Sequence, residues 1–100
     1  MGLNIDKKIG DTSYIALSGR LDTMTAPELD ALIDELIPVS SKLEFDCEGL
    51  EYISSAGLRI VLKAQKAMEH KGGMKLKNVP HSVMDVFDIT GFSDFLTIEN

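Results

Sequence analysis

Hydrophobic residues recur with two different periods, and segments of the two kinds alternate along the chain. The stretch KLEFDC (residues 42–47) alternates apolar and polar side chains, which is typical of a strand with one buried face. The stretch TAPELDALIDELIP (residues 25–38) has an apolar stripe with the period of a helix, formed by Leu29, Leu32, Ile33, Leu36 and Ile37. Thr25 and Glu28 have the spacing of a capping box, and Pro38 favours an end to this helix.

Turn and stop signals divide the rest of the chain. Gly10-Asp11 predicts a two-residue hairpin turn, the run SYIAL after it predicts the second strand, and Gly19 is expected to end that strand. Further strands are predicted in MKLKNV and FLTIE, and further helices run to Gly72-Gly73 and to Gly91. Helices between strands imply crossover connections and hence parallel pairing. The sequence therefore predicts a single α/β domain over residues 1–100, with helices packed on a mostly parallel mixed β-sheet that has an antiparallel N-terminal hairpin.

Composition and charge exclude several function classes. The net charge is −6, so the surface repels a phosphate backbone, and nucleic-acid binding is not expected. No apolar run approaches about 18 residues, so no membrane insertion or secretion is expected. Cys47 is the only cysteine, which excludes an internal disulfide and fits a cytoplasmic location. Because Cys47 alternates with Leu43 and Phe45, it is interpreted as a buried core residue rather than a nucleophile.

The stretch EYISSAGL (residues 51–58) joins a strand-like run to the second long helix. Either Ser54 or Ser55 fits the N-cap of that helix, where a hydroxyl accepts a free backbone N–H. Gly57 in the first turn weakens helix propensity, which suggests that something approaches the backbone closely. The amides and dipole of a helix start favour an anion, so a phosphate on Ser55 is compatible with the fold. The same charge opposes a protein docked at this place.

The sequence resembles a STAS domain of the anti-sigma factor antagonist type, from bacterial partner-switching systems. The resemblance rests on LSGRLDTMTAPEL, LEFDCEGLEYISSAGLRIVL and GGMKLKNVPHSVMDVFDITGF, which together span most of the chain. It places the family's switch serine at Ser55, before a small residue and Gly57-Leu58. It also implies that the unphosphorylated domain binds an anti-sigma factor and frees a sigma factor. The resemblance further implies that this anti-sigma factor is a serine kinase that uses ATP and inactivates the antagonist, and that a metal-dependent serine phosphatase restores it.

One position departs from the family's pattern. Many members have Asp before the switch serine, whereas this chain has Ser54, which is the minor candidate for phosphorylation. The resemblance places the loop that contains Asp22 beside the switch serine. The predicted partner-binding residues are Asp22, Thr23, Met24, Ser54, Ser55, Ala56, Gly57, Arg59 and Lys63. Their alternative interpretations are structural: Asp22 in a turn before Thr25, and Arg59 and Lys63 on a solvated helix face.

A second hypothesis gives the same fold a different use. The domain would be a scaffold or accessory subunit, as in a stressosome or as the cytoplasmic partner of a lipid or anion transporter, without a phosphorylated serine. An enzyme is not expected, because no nucleophile–base pair and no acid–base constellation is visible in the sequence. No cofactor and no metal site are expected either, since the two histidines, His70 and His81, have no metal-ligand spacing.

Overall fold

The described structure, a computed structural model of residues 2–99, is one mixed β-sheet with three helices. The strands are β1 (Leu3–Lys8), β2 (Thr12–Leu21), β3 (Lys42–Ile53), β4 (Met74–Lys77) and β5 (Ile98–Glu99). The helices are α1 (Ala26–Leu36), α2 (Ser55–Met68) and α3 (His81–Thr90), and a 3₁₀ helix, Phe92–Asp94, follows α3. The sheet order is β1-β2-β3-β4-β5, with β1 antiparallel to β2 and the other pairs parallel. The predicted fold class is confirmed.

The core lies between one face of the sheet and the helices. Residues from β2, β3 and β4 form one cluster with residues from all three helices, and Phe45 and Phe87 are its largest members. All the residues predicted for the apolar stripe of α1 are buried except Ile37, which is half-buried. Cys47 is 1% exposed, which confirms its interpretation as a core residue. The opposite face of the sheet carries exposed side chains such as Tyr14 and Lys75.

The predicted two-residue turn at Gly10-Asp11 is wrong. The last residues that pair β1 with β2 are Lys8 and Tyr14, so a five-residue connection replaces it. Side-chain hydrogen bonds hold this longer connection: Ser13 Oγ accepts from the Gly10 N–H at 3.2 Å and forms a buried hydrogen bond of 2.6 Å with the hydroxyl of Ser40. The sequence around the turn gives no sign of this partner 27 residues away.

The prediction that β2 ends at Gly19 is also wrong, because the strand continues to Leu21. Gly19 has φ +92° and lies beside a shift in the β2–β3 register. A side chain here would collide with the carbonyl of Gly2, whose oxygen accepts a hydrogen bond from the Arg20 N–H at 3.1 Å. Glycine therefore permits a bulge inside the strand instead of ending it.

None of the helices described in residues 2–99 is long and apolar enough to cross a membrane.

Candidate functional site

Two chain segments meet at the carboxyl end of the parallel strands. Leu21, the last residue of β2, pairs with Ile53, the last residue of β3. The Ser54 N–H donates to the Leu21 carbonyl oxygen at 2.9 Å, which fixes the start of α2 to the end of β2. The loop 22–25 therefore lies beside the two serines, as the resemblance implied.

Ser54 is the N-cap of α2. Its backbone is extended, with φ −98° and ψ 175°, and its carbonyl accepts the first helical hydrogen bond, from the Leu58 N–H at 2.9 Å. Its Oγ accepts a hydrogen bond from the Gly57 N–H at 3.3 Å, which satisfies one of the free amides of the first turn. The structure thus assigns the cap, which the sequence left open between two serines, to Ser54.

Ser55 is the first residue of α2 and has a different environment. Its side chain is exposed, and within residues 2–99 its hydroxyl has no hydrogen-bond partner. It stands at the positive end of the helix dipole, where added negative charge is stabilised. Of the two serines, Ser55 is therefore the one whose hydroxyl is accessible and makes no hydrogen bond within the described residues.

Gly57 is buried, and the groups that approach its backbone closely are core side chains of the protein itself. A Cβ at this position would lie 2.7 Å from Leu21 Cγ and 3.0 Å from Ile53 Cγ1. The absence of a side chain therefore lets α2 pack onto the ends of β2 and β3. Contact of Gly57 with a partner stays a prediction, and its neighbour Ala56 is half-buried.

The loop between β2 and α1 is ordered by its own side chains. Asp22 Oδ1 accepts hydrogen bonds from the N–H groups of Met24 at 3.0 Å and Thr25 at 3.1 Å. Desolvation raises the pKa of Asp22, but these hydrogen bonds, a third from the Thr25 hydroxyl and the charge of Arg20 together lower it below its ordinary value of 3.8. The turn interpretation of Asp22 is therefore correct, and Asp22 is charged at neutral pH.

The capping-box prediction for Thr25 is wrong. Thr25 occupies the N-cap position of α1, but its side chain makes no cap hydrogen bond. Its hydroxyl instead donates to the carbonyl of Arg20 at 2.7 Å and accepts from the Asp22 N–H at 2.9 Å. Thr25 is buried, and its hydroxyl fixes the loop to the end of β2 instead of capping α1.

Met24 and Thr23 project from this ordered loop. Met24 is 86% exposed, so its apolar side chain is available to a partner. Next to it, a shallow groove runs between the starts of α1 and α2, lined in part by Thr23, Ala56 and Arg59. Arg59 is exposed and lies one turn after Ser55 on the same side of α2. These predicted partner-binding residues therefore form one contiguous surface.

Lys63 lies at the far end of that surface. It follows Ser55 by two turns of α2, about 12 Å along the helix axis. Its ammonium group contacts the carboxylates of Asp30 at 2.6 Å and Asp34 at 2.7 Å, which raises the pKa of Lys63 chiefly through these hydrogen bonds. Lys63 thus links α2 to α1, and its contact with a partner stays a prediction.

Comparisons with known proteins identify the family. The sequence profile described as "Mlab, STAS domain" matches residues 6–98. The chain belongs to the STAS domain family. It is 28% identical over 100 residues to the anti-sigma-B factor antagonist of Bacillus subtilis, covering 98% of this chain and 92% of that protein.

Solved STAS structures have the same fold. The anti-sigma factor antagonist from Mycobacterium paratuberculosis superposes with a TM-score of 0.85 at 20% identity, covering 96% of this chain and 84% of that one. The Bacillus cell fate determinant SpoIIAA in its phosphorylated form gives a TM-score of 0.74 at 22% identity, covering 98% and 91%. The chain is also 32% identical over 102 residues to the protein named "Putative anti-sigma factor antagonist BtrV" of Bordetella bronchiseptica, covering 100% of this chain and 87% of that protein. The predicted membership in the anti-sigma factor antagonist family is therefore confirmed.

The stack of Arg20 on Tyr52 beside this surface was not predicted from the sequence. The Arg20 guanidinium stacks over the ring of Tyr52, 4.2 Å from its centroid, and its Nε lies 3.7 Å from Asp22 Oδ2. The stack depends on the pairing of Arg20 with Tyr52 across β2 and β3, which follows two register shifts. The sequence signal for it was that Arg20 and Tyr52 each stand two positions before a predicted site residue, Asp22 and Ser54.

Proposed function

We propose that this STAS domain is an anti-sigma factor antagonist switched by phosphorylation of Ser55. In the unphosphorylated form it binds an anti-sigma factor with serine kinase activity in the bacterial cytoplasm and frees the sigma factor. The kinase phosphorylates Ser55 and ends the interaction, and a metal-dependent serine phosphatase reverses the change. The domain itself catalyses no reaction. The observation that carries the proposal is the exposed, unbonded hydroxyl of Ser55 beside the ordered loop 22–25.

The geometry supports a phosphate that leaves the fold unchanged. Ser55 opens α2, so a phosphate there adds negative charge at the positive end of the helix. Arg59, one turn further along, supplies a nearby positive charge. Neither the cap made by Ser54 nor the packing of Gly57 uses the Ser55 hydroxyl. The modification therefore changes the charge of the surface while the core keeps its contacts.

The same phosphate opposes a docked partner. It adds about 1.5–2 negative charges next to Ala56, which lines the groove, on the surface that also carries the exposed Met24. A charge buried without a partner in an interface costs about 2–5 kcal/mol. At about 1.4 kcal/mol for each tenfold change, the affinity for the anti-sigma factor falls roughly 30- to 4,000-fold.

The family's usual Asp before the switch serine has a physical equivalent in Ser54. Asp and Ser are about equally good N-cap residues, since both accept a first-turn amide through a side-chain oxygen. Ser54 makes this hydrogen bond with Gly57. We therefore propose that the substitution preserves the cap and leaves Ser55 as the phosphorylated residue, and that the Ser54 hydroxyl, already engaged, is not modified.

Mapping the phosphate tests the assignment. The chain is incubated with its anti-sigma factor and ATP, and the modified residue is identified by peptide mass spectrometry. Phosphate on Ser55, its loss in Ser55→Ala and its retention in Ser54→Ala support the proposal. Phosphate on Ser54, or an equal yield from Ser55→Ala, contradicts it. Ser55→Ala is further expected to keep the affinity for the anti-sigma factor, and Ser55→Asp to weaken it.

A further inference from the structure

An exposed apolar pair lies at the end of α3, outside the surface around Ser55. Ile89 in the last turn of α3 is 86% exposed, and Phe95, just after the 3₁₀ helix, is 64% exposed. The buried residues of α3 are Val83 and Phe87, so Ile89 lies on the solvent side of the helix. Single exposed apolar residues are ordinary, whereas exposed apolar residues that lie together are a feature of binding surfaces.

The segment that carries this pair is acidic. Residues 78–100 contain no Lys or Arg, and they contain four acidic residues, Asp85, Asp88, Asp94 and Glu99. Glu99 is paired with Lys75 at 3.1 Å, and Asp85 lies 3.7 Å from His81. Asp88 and Asp94 are exposed, and neither makes an ion pair with another residue in the part of the chain that the structure describes. We call Ile89, Phe95, Asp88 and Asp94 the C-terminal patch.

The C-terminal patch is held in place by the backbone. Gly91 adopts a left-handed conformation, with φ +80°, that ends α3, and its N–H donates to the Asp88 carbonyl at 3.2 Å. The Asp94 N–H donates to the Gly91 carbonyl at 3.3 Å, and the Phe95 N–H to the Phe92 carbonyl at 3.0 Å. The residues that carry the charges and the apolar side chains are therefore linked by short-range hydrogen bonds, and little order has to be gained on binding.

The C-terminal patch and Ser55 lie at opposite ends of the sheet. Ser55 follows β3 at the carboxyl end of the parallel strands. The strand β4 pairs only with residues 43–46 of β3 and stops well short of Ile53. The helix α3 follows β4 and runs back along the sheet, so its last turn lies still further from Ser55, before β5 begins its path parallel to β4. A protein on the C-terminal patch therefore does not compete for space with a protein docked at Ser55.

We propose that the C-terminal patch is a second docking surface, which binds a basic amphipathic helix of a partner protein irrespective of the phosphorylation of Ser55. The apolar pair receives the apolar stripe of such a helix, and Asp88 and Asp94 face its Lys or Arg residues. The charge of the patch favours a basic partner over an acidic one, because residues 78–100 contain no Lys or Arg that could pair with an acidic partner.

The test uses a defined probe, a 14-residue amphipathic helical peptide of Leu and Lys, with a matched peptide that has Glu in place of Lys. Amide chemical shifts of the full chain are followed by NMR as peptide is added. We expect the Lys peptide to shift amides in residues 85–96, and the Glu peptide not to bind. Because the complex buries the Ile89 side chain, Ile89→Ser is expected to weaken binding about tenfold or more.

The control variant is Met24→Ser. Met24 is as exposed as Ile89, at 86%, but lies in the loop beside Ser55. Equal affinities of wild type, Met24→Ser and Ser55→Asp for the Lys peptide support the proposal. It is overturned if the shifted amides lie around residues 22–25 or on the outer face of the sheet, if the Glu peptide binds equally well, or if Ile89→Ser and Met24→Ser lose the same affinity. A loss of affinity in Ser55→Asp overturns the stated independence of the two surfaces.

Discussion

Replacing each of the two adjacent serines by alanine should separate their roles. In Ser54→Ala, the Gly57 N–H loses the side chain that caps it, whereas in Ser55→Ala no hydrogen bond within the described chain is lost. Loss of an N-cap Ser costs about 0.5–2 kcal/mol of stability. The Oγ–N distance of 3.3 Å is long for a hydrogen bond, which places the expected loss at the lower end, about 0.5–1 kcal/mol.

These free energies translate into measurable shifts. For a domain of 100 residues, each kcal/mol lowers the melting temperature by about 4–8 °C, so Ser54→Ala is expected to melt about 2–8 °C lower. Ser55→Ala is an exposed substitution and should stay within about 0.5 kcal/mol of wild type. Ser54→Asp is the matched control, since Asp restores an N-cap oxygen and should recover the stability.

Urea unfolding followed by circular dichroism measures all four proteins under one linear-extrapolation treatment. If Ser54 is the cap and the Ser55 hydroxyl is free, then wild type, Ser55→Ala and Ser54→Asp should have about the same free energy of unfolding. Ser54→Ala should have a lower one. Equal losses in the two alanine variants, or a larger loss in Ser55→Ala, refute the separation of the two serines.

Three further predictions follow from the neighbouring structure. Gly57→Ala should lower the free energy of unfolding by about 1–2 kcal/mol, because a Cβ 2.7 Å from Leu21 Cγ outweighs the gain in helix propensity; an unchanged unfolding curve contradicts this packing. Burial and the charge of Asp46 raise the pKa of Cys47 to about 12, so the native protein should not react with a thiol reagent at pH 8 until it is unfolded; rapid native reaction contradicts it. An NMR titration should give Asp22 a pKa below 3.8, so that its contribution to loop stability is present above its unfolded pKa and lost as pH falls through the folded value; a pKa at or above 3.8 contradicts the turn assignment.

Periodic patterns allowed the fold to be predicted from the sequence because they are local. The stripe of α1, the alternation around Phe45 and the glycine stop at Gly91 each depend on a few neighbouring residues, and each is present in the structure. Given these elements, the rule that helices connect parallel strands leaves few arrangements of the sheet.

The errors fall where a contact that the local pattern does not encode replaces the one that it predicts. Thr25 has the local pattern of a capping residue, but its hydroxyl binds the carbonyl of Arg20 instead. Gly19 has the local pattern of a strand end, but the pairing of β2 with β3 carries the strand past it. The stack of Arg20 on Tyr52 depends on register shifts between two strands, which no local pattern encodes.

Two neighbouring serines illustrate the same limit at the candidate site. The sequence placed the start of α2 at Ser54 or Ser55, and local propensity treats both as good caps. What separates them is the extended backbone of Ser54 and its N–H bond to the Leu21 carbonyl, a contact between two strand ends. That contact makes Ser54 the cap and leaves Ser55 exposed.

The most direct test of the switch compares two forms of one protein. The chain carrying phosphoserine at position 55 and the unmodified chain are titrated against the anti-sigma factor by calorimetry, with amide spectra recorded to establish that both are folded. The account predicts that the phosphorylated chain binds roughly 30- to 4,000-fold more weakly, while its amide shifts change only around residues 22–25 and 54–59. Equal affinities of the two forms contradict it.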